Sequence, residues 1–516
     1  MLTRRAALTL PLLAACTQKA RELEGGWLGP DPALAHRLRE PLPDARTVKQ
    51  RRAQVLVLGG GVAGLVCARQ LRAAGVEVAL LELDQRVGGH SRGAELAGQP
   101  VPLGAHYLPQ PGPEAPELQD LLVELGAATR MQGRWQAVEA YQCHAPAERL
   151  FHRGAWLPGL LPPAADEAAQ AQRRRFAAAV RAAQQLGFAL PSTRAPWTDG
   201  HRALDAQSFA QWLQAQGLDE PDLRTYLDYC CRDDYGAGLA RVSAWAGLHY
   251  FASRHGFAAS AEEAHEQPVL TWPQGNAWLV ERLAAPLTEA IHRQRLALAV
   301  NEEREGVSVL AQGPEGLEQW QAHQVVLATP LFIARRLLRR PDAALDTLQL
   351  PRAPWLIANL RLDGPLLQRR GAPPAWDNVI HGSAALGYVD ARHQSLDPRP
   401  GPTVLTAYWA LPEARRAELL SRPWRDWLAE LLAHYTGVHP DLPERLMEAR
   451  LTRWGHAMAI PAPGVRGQAA LAALRQGRGR LAFAHSDLAG YSVFEEAFEA
   501  GRAAAEGLLT RPARAR

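Results

Sequence analysis

Lysine is nearly absent from this chain. Among 57 basic residues only Lys19 and Lys49 are lysine, and the rest are arginine. Any chemistry that needs a lysine amine beyond residue 49 is thereby excluded, because an arginine stays protonated and has a different shape. Cysteine is scarce as well, with five in 516 residues and no CxxC. HExxH and spaced Cys/His sets are also missing, so neither a disulfide scaffold nor a metal site is expected. With 57 basic against 53 acidic residues and a net charge of +4, nothing suggests a nucleic-acid partner. No internal repeat or low-complexity tract occurs. What remains is the composition of a globular protein, 47% hydrophobic and 21% charged, long enough for two or three domains of roughly 100–200 residues each.

The chain opens MLTRRAALTLPLLAAC, a short basic start followed by an apolar stretch over Ala6–Ala15. That stretch is well short of the ~20 residues that span a bilayer, and it reads as an export signal over residues 1–15. Thr3-Arg4-Arg5 resembles a twin-arginine signal, a route that moves folded proteins. Leu13-Ala14-Ala15-Cys16 resembles a lipobox, which would leave Cys16 to carry lipid. These motifs predict a periplasmic protein anchored only through lipid, and Thr17 after the cysteine favours the outer membrane. Residues 16–52 are expected to form a linker.

Residues 54–82 then read QVLVLGGGVAGLVCARQLRAAGVEVALLE. Val55–Leu58 is a buried-strand signal, Leu65–Ala74 reads as helix, and Val76–Leu81 is a second strand. Between strand and helix lies Gly59-x-Gly61-x-x-Gly64. Gly59 permits the tight turn, Gly61 lets backbone approach a pyrophosphate, and Gly64 lets the helix pack closely. The free N–H groups of the helix N-terminus favour phosphate there. Glu82 closes the second strand, where a carboxylate accepts both adenosine ribose hydroxyls and disfavours a 2′-phosphate. The motif occurs once, so no second dinucleotide domain is expected.

Arg86-Val87-Gly88-Gly89-His90-Ser91-Arg92 follows, and here the chain resembles the flavin amine oxidase and phytoene desaturase superfamily. The resemblance implies non-covalent FAD, with Gly88, Gly89 and Arg92 wrapping the pyrophosphate and His90 standing where arginine is usual. Leu103-Gly104-Ala105-His106 is similar to the segment that passes the flavin ring, which implies contacts from Gly104, Ala105 and His106. By the same resemblance a backbone group near Val300 meets adenine, and Val325–Pro330 returns to the FAD domain. The C-terminal stretch, Arg480 to Asp487, then Tyr491, Phe494-Glu495-Glu496-Ala497 and Gly501, resembles the family's closing strand, flavin turn and final helix. It implies that Ser486 and Asp487 meet the ribityl and pyrophosphate region and that the Phe494 backbone faces the flavin pyrimidine edge. The dipole of a helix over Phe494–Leu509 would stabilise a reduced, anionic flavin.

The fold implied is α/β. A Rossmann-like FAD-binding domain (53–110, 265–340 and 452–516) is interleaved with an α+β substrate domain (111–264 and 341–451). Within the latter, Pro163–Leu186 and Pro412–His434 read as helices, Ser208 starts another, and 376–410 alternates as strands. Tyr226, Asp228, Tyr229, Asp233, Asp234 and Tyr235 cluster in a way that suits a cationic amine, although a helix ending in a capped turn at Gly236 is the simpler reading. Tyr491, Trp454 and His456 are the candidate catalytic residues by resemblance, with core packing as the alternative for Trp454 and His456, and with Val493 a rival for the aromatic position of Tyr491.

Relatives in this superfamily often place a lysine near flavin N5 to assist reoxidation by oxygen, and neither lysine here can do so. Three functions stay open. The first is an FAD-dependent oxidase of a small amine or polyamine by hydride transfer to N5. The second is a desaturase-like dehydrogenase passing electrons to a quinone, and the third is a flavin-binding protein without turnover.

Overall fold

The computed structural model describes residues 23–44, 47–254, 256–260, 269–394 and 401–510. Cys16 and the rest of the expected export signal lie outside them. Two sheets organise the chain. The first has the strand order Ile291–His292, Val78–Leu81, Lys49–Leu58, Gly316–Leu327, Val307–Gly313, Leu296–Glu302. Lys49–Leu58 pairs in parallel with both of its neighbours, Leu58 lying opposite Leu81 and Leu327. Leu481–Phe483 joins the far end of Gly316–Leu327, also in parallel. The central strand carries the near-continuous apolar run Val55–Leu58, fully buried as a strand covered on both faces must be.

The second sheet has eight strands, in the order Glu24–Trp27, Leu446–Ala459, Arg352–Leu362, Thr403–Ala410, Gly387–Asp390, Asp377–Ile380, Glu148–His152, Ala155–Pro158. A helical layer packs beside it, formed by Glu167–Gln185, Asp199–Asp205, Phe209–Ala215, Pro221–Tyr235 and Ala244–Ala252. Phe176, Phe209, Leu227 and Trp245 fill the core between them. Among the described residues no helix is long and apolar enough to cross a membrane.

Several expected boundaries move. The helix after the glycine turn spans Val62–Ala73 rather than Leu65–Ala74, and the second strand is Val78–Leu81 rather than starting at Val76. The helix expected from Pro163 spans Glu167–Gln185, because the Asp166 side chain accepts a hydrogen bond from the Ala169 N–H at 2.8 Å and caps it there. The helix expected over 412–434 is broken into Arg416–Ser421 and Trp424–Tyr435, with Pro423 between them.

The expected linker is not one throughout. Glu24–Trp27 joins the edge of the second sheet, and Asp31 caps a short helix at Pro32–His36. Gly25 makes the edge pairing possible, since a Cβ there would stand 2.5 Å from the Ala449 carbonyl oxygen.

Candidate active site

The tight turn after Leu58 has to pass beneath the backbone of Ala328. Gly59 does so at φ +113°, where a Cβ would lie 2.4 Å from the Ala328 oxygen. Gly64, on the first helical turn, abuts the Gly59 carbonyl, and its Cβ would clash at 2.0 Å. Gly61 differs, because a Cβ there meets no protein atom within 4 Å and would project into open space. That space faces the N-terminus of Val62–Ala73, whose first N–H groups have no partner within the helix.

Glu82 is held at the edge of this space by hydrogen bonds from the Gly60 and Asp84 N–H groups, each 2.9 Å. Burial raises its pKa, while Arg92 and the two amides oppose the shift. Arg92 in turn pairs with Asp84 at 2.7 Å. The Gly88 N–H donates to the Gly60 carbonyl at 2.7 Å and Ala105 to that of His90 at 3.0 Å, so the expected pyrophosphate and flavin segments lie against the glycine turn.

These groups line one cavity of about 680 Å³. Of the expected cofactor residues, Gly59, Gly61, Glu82, Gly88, Gly89 and Arg92 form one stretch of wall, and Gly104, Ala105, His106, Ser486 and Phe494 form another. Gly64 stands behind them as a packing residue. Both candidate residues Trp454 and His456 reach the cavity. Trp454 Nε1 donates to the Leu103 carbonyl at 2.6 Å, and its ring meets His90 edge-on with centroids 4.5 Å apart. His456 packs against Phe332 at 4.7 Å. Burial and nearby arginines lower the pKa of His90 to about 3 and of His456 to about 4, so both imidazoles are neutral.

Three expectations are corrected. Val300 does not line the cavity: its side chain packs in the core, its carbonyl accepts from the Arg339 N–H at 3.0 Å, and Leu296 and Ala297 line the cavity instead. Asp487 is fully buried behind the wall, where it accepts from the Leu331 N–H at 2.8 Å and pairs with Arg352. Tyr491 also points away. Ser486–Ala489 forms a helical turn closed by Gly490 at φ +84°, after which Tyr491 turns into the helical layer and donates to Glu496 at 2.6 Å. Ser492 and Val493 take the wall position.

The cavity fits an extended dinucleotide. Thr329 Oγ1, Arg92 Nε, Trp355 Nε1 and Asn276 Oδ1 belong to residues of its wall and are buried without a hydrogen-bond partner. Such groups call for a polar ligand. The N-terminal segment adds Asp31, His36 and Arg39 to the wall, a contribution hidden by its reading as a linker.

Across His106, Tyr107 and Asp233, which line both, the cavity adjoins a second chamber of about 540 Å³. Tyr226, Tyr229 and Asp233 line it from the helix Pro221–Tyr235, joined by Asp377 and Tyr408 from the second sheet and by Trp376 just before the strand Asp377–Ile380. That helix does end in a left-handed Gly236, φ +71°, so the capped turn and the chamber wall coexist. Positions 226, 229 and 233 follow helical i, i+3, i+7 spacing, the signal that places all three on one face.

Asp377 accepts hydrogen bonds from Tyr408 and, at 3.3 Å, from Tyr229. Burial still raises its pKa to about 6. Asp233 is pushed well above the carboxylate range by burial and by Asp377 and Asp234. Glu495, on the first turn of Phe494–Thr510, lines both chambers, and burial raises it to about 7. His106 sits at the junction, its pKa lowered to about 4 by burial, with Tyr408 and Trp376 rings 5.4 and 5.7 Å away.

A glycine-cradled dinucleotide cavity joined to an aromatic, carboxylate-lined chamber matches the family comparison. The family model for flavin containing amine oxidoreductases covers residues 62–509, and the chain belongs to that family of FAD-dependent oxidoreductases. Among curated proteins it is 31% identical over 183 residues to putrescine oxidase of Kocuria rosea, a match spanning 35% of each chain. It is 23% identical over 487 residues to an L-amino acid dehydrogenase of Synechocystis sp., covering 88% of this chain and 94% of that one. Among solved structures, putrescine oxidase bound to putrescine superposes with a TM-score of 0.68 at 18% identity, over 90% of this chain and all of the other. Cyclohexylamine oxidase from Brevibacterium oxydans gives 0.65 at 18%, over 88% and 98%.

Proposed function

We propose that this protein oxidises a small cationic amine and passes the electrons to an acceptor other than oxygen, of the quinone class. One observation carries the substrate class: Asp233 and Asp377 stand among Tyr229, Tyr408 and Trp376 in a chamber that shares the wall residues His106, Tyr107 and Asp233 with the cofactor cavity. The Asp377 carboxylate attracts an ammonium group, the Asp233 carboxyl offers it a hydrogen-bond acceptor, and aromatic faces stabilise it once water is excluded. When bound, FAD supplies the chemistry by accepting a hydride from the carbon next to nitrogen. The chain's own part is to orient the amine, keep water out, and hold neutral imidazoles at His90, His106 and His456.

The choice of acceptor rests on the cavity wall. Among the residues lining it there is no lysine, and Lys49 lies at the far end of its strand, paired with Glu315 at 3.3 Å. The dehydrogenase named among the relatives supports the same choice. An amino acid is the second reading, because Arg254 lines both chambers. However, Asp234 already engages that guanidinium at 3.1 Å, which favours a substrate without a carboxylate.

Stopped-flow reoxidation of amine-reduced enzyme tests the acceptor. A short-chain quinone should reoxidise the flavin much faster than dissolved oxygen, and fast oxygen reoxidation would return the oxidase reading. Export by the twin-arginine route and a lipid on Cys16 at the periplasmic face, with the outer membrane favoured, complete the proposal and suit a membrane quinone. Their support is the sequence of residues 3–5 and 13–16. A Cys16→Ala protein should appear in the soluble fraction, and one still held in membranes would refute the anchor.

A further inference from the structure

On the face of the second sheet that packs against the helical layer, three side chains from distant stretches of sequence converge, none of them lining either chamber. His152 ends the strand Glu148–His152, and His381 follows the parallel strand Asp377–Ile380. The His381 N–H donates to the Phe151 carbonyl at 3.1 Å, which sets the two histidines side by side. Their rings meet at 71°, with centroids 4.7 Å apart. Asp222, on the first turn of Pro221–Tyr235, completes the group, its Oδ1 3.2 Å from His381 Nε2. One ligand atom from each residue lies within 4.8 Å of the other two.

We propose that His152, His381 and Asp222 bind a divalent first-row transition ion of the zinc class, with a fourth position left to water. Zinc bonds to imidazole nitrogen and carboxylate oxygen run about 2.0–2.2 Å, which puts tetrahedral donor atoms roughly 3.3–3.5 Å apart. The His381–Asp222 spacing is already close to this, and the third donor needs only a small approach. Two imidazoles and one carboxylate form a borderline-soft set that suits zinc, cobalt or nickel better than calcium or magnesium. His381 Nε2 is shielded from solvent and, although Asp222 Oδ1 stands 3.2 Å away, the two do not meet in hydrogen-bond geometry, so this nitrogen has no hydrogen-bond partner among the described residues. The side chains of His381 and Asp222 remain 21% and 17% exposed, which leaves an entry path.

The ion would clamp the N-terminal end of Pro221–Tyr235 to the sheet. Seven residues along that helix Tyr229 donates to Asp377, which lies on the same strand that leads into His381. Arg232 fastens the seam again through the Ser383 and Ala384 carbonyls, both at 3.1 Å. The metal site is thus the outer end of a helix–strand seam whose inner end is the chamber wall. It unites positions 152, 222 and 381, which is why no ligand spacing appears in the sequence.

The test uses tag-free, FAD-loaded protein stripped with a chelator and titrated with Co2+. Wild type should develop a visible ligand-field band that saturates at one equivalent, is displaced by Zn2+, and accompanies a Zn2+-dependent rise in Tm. His381→Ala and Asp222→Asn, checked for unchanged flavin content and circular dichroism, should bind at least about tenfold more weakly, since losing even an outer partner of a ligand costs about 10–100-fold. His152→Gln serves if either variant fails to fold. Absence of a saturable band in wild type, or equal binding by the folded variants, would overturn the proposal.

Discussion

Replacing Asp377 with asparagine keeps the shape of the chamber wall and removes a charge. Asp377 is held by the Tyr408 and Tyr229 hydroxyls, and an asparagine side chain can keep the first of these bonds, so the main loss falls on a bound cation. A charge about 4 Å from an ammonium, at an effective dielectric of about 20, gives about 4 kcal/mol before desolvation is subtracted. Net values for hydrogen bonds to charged groups suggest about 2 kcal/mol, or about 30-fold in Kd.

A non-oxidisable probe, tetramethylammonium, isolates binding from chemistry and can be followed by its perturbation of the flavin spectrum. Because burial lifts the Asp377 pKa to about 6, the carboxylate loses its charge as pH falls through that value. Wild-type affinity should therefore weaken below pH 6 and level off above it. Asp377→Asn should bind weakly across the range, with a flattened profile. A variant that binds as tightly as wild type, with the same pH dependence, would refute the placement of the cation beside Asp377.

Other perturbations separate cofactor binding from folding. Gly61→Ala adds a methyl group that meets no protein atom within 4 Å, so apoprotein Tm should hold while flavin content falls. Gly59→Ala should lower both, because the added Cβ would stand 2.4 Å from the Ala328 oxygen. A chain starting at residue 41 loses Asp31, His36 and Arg39 from the cavity wall and should release FAD more readily on dilution, as read by flavin fluorescence. Trp454→Phe removes the 2.6 Å bond to Leu103 and should cost about 1 kcal/mol in stability, measured by denaturant unfolding.

The phosphate end of the site was legible because its parts are local. One turn, one helix and the strand leading to Glu82 form a short contiguous unit, in which Gly59 and Gly64 answer steric demands made by Ala328 and by the turn itself, while Gly61 leaves open space. The segment Gly104–His106 was singled out by resemblance, and it lines the cavity. What stayed hidden depends on register or on distant contacts. Leu296 and Ala297 line the cavity while Val300, three positions further along the same strand, packs in the core, and the apolar pattern of that strand does not say which end meets the cavity. Tyr491 looks well placed along the chain, yet a single helical turn at Ser486–Ala489 redirects it into the core. Asp487 was assigned to the cofactor, whereas its carboxylate is committed to Leu331 and Arg352. Tyr226, Tyr229 and Asp233 carried a readable helical spacing, but their partners Trp376, Asp377 and Tyr408 come from another stretch, so the chamber exists only in three dimensions. The strand Glu24–Trp27 was obscured by Gly25-Gly26, which breaks helices, although the missing side chain of Gly25 is what permits the close pairing.

Anaerobic titration of the FAD-loaded protein with small amines, including putrescine and cyclohexylamine, bears most directly on the central claim. The account predicts that at least one cationic amine bleaches the oxidised flavin band stoichiometrically, and that Asp377→Asn requires much more of it. A flavin left fully oxidised by every amine, with the cofactor site filled, would contradict amine oxidation and leave a flavin-binding protein without that turnover.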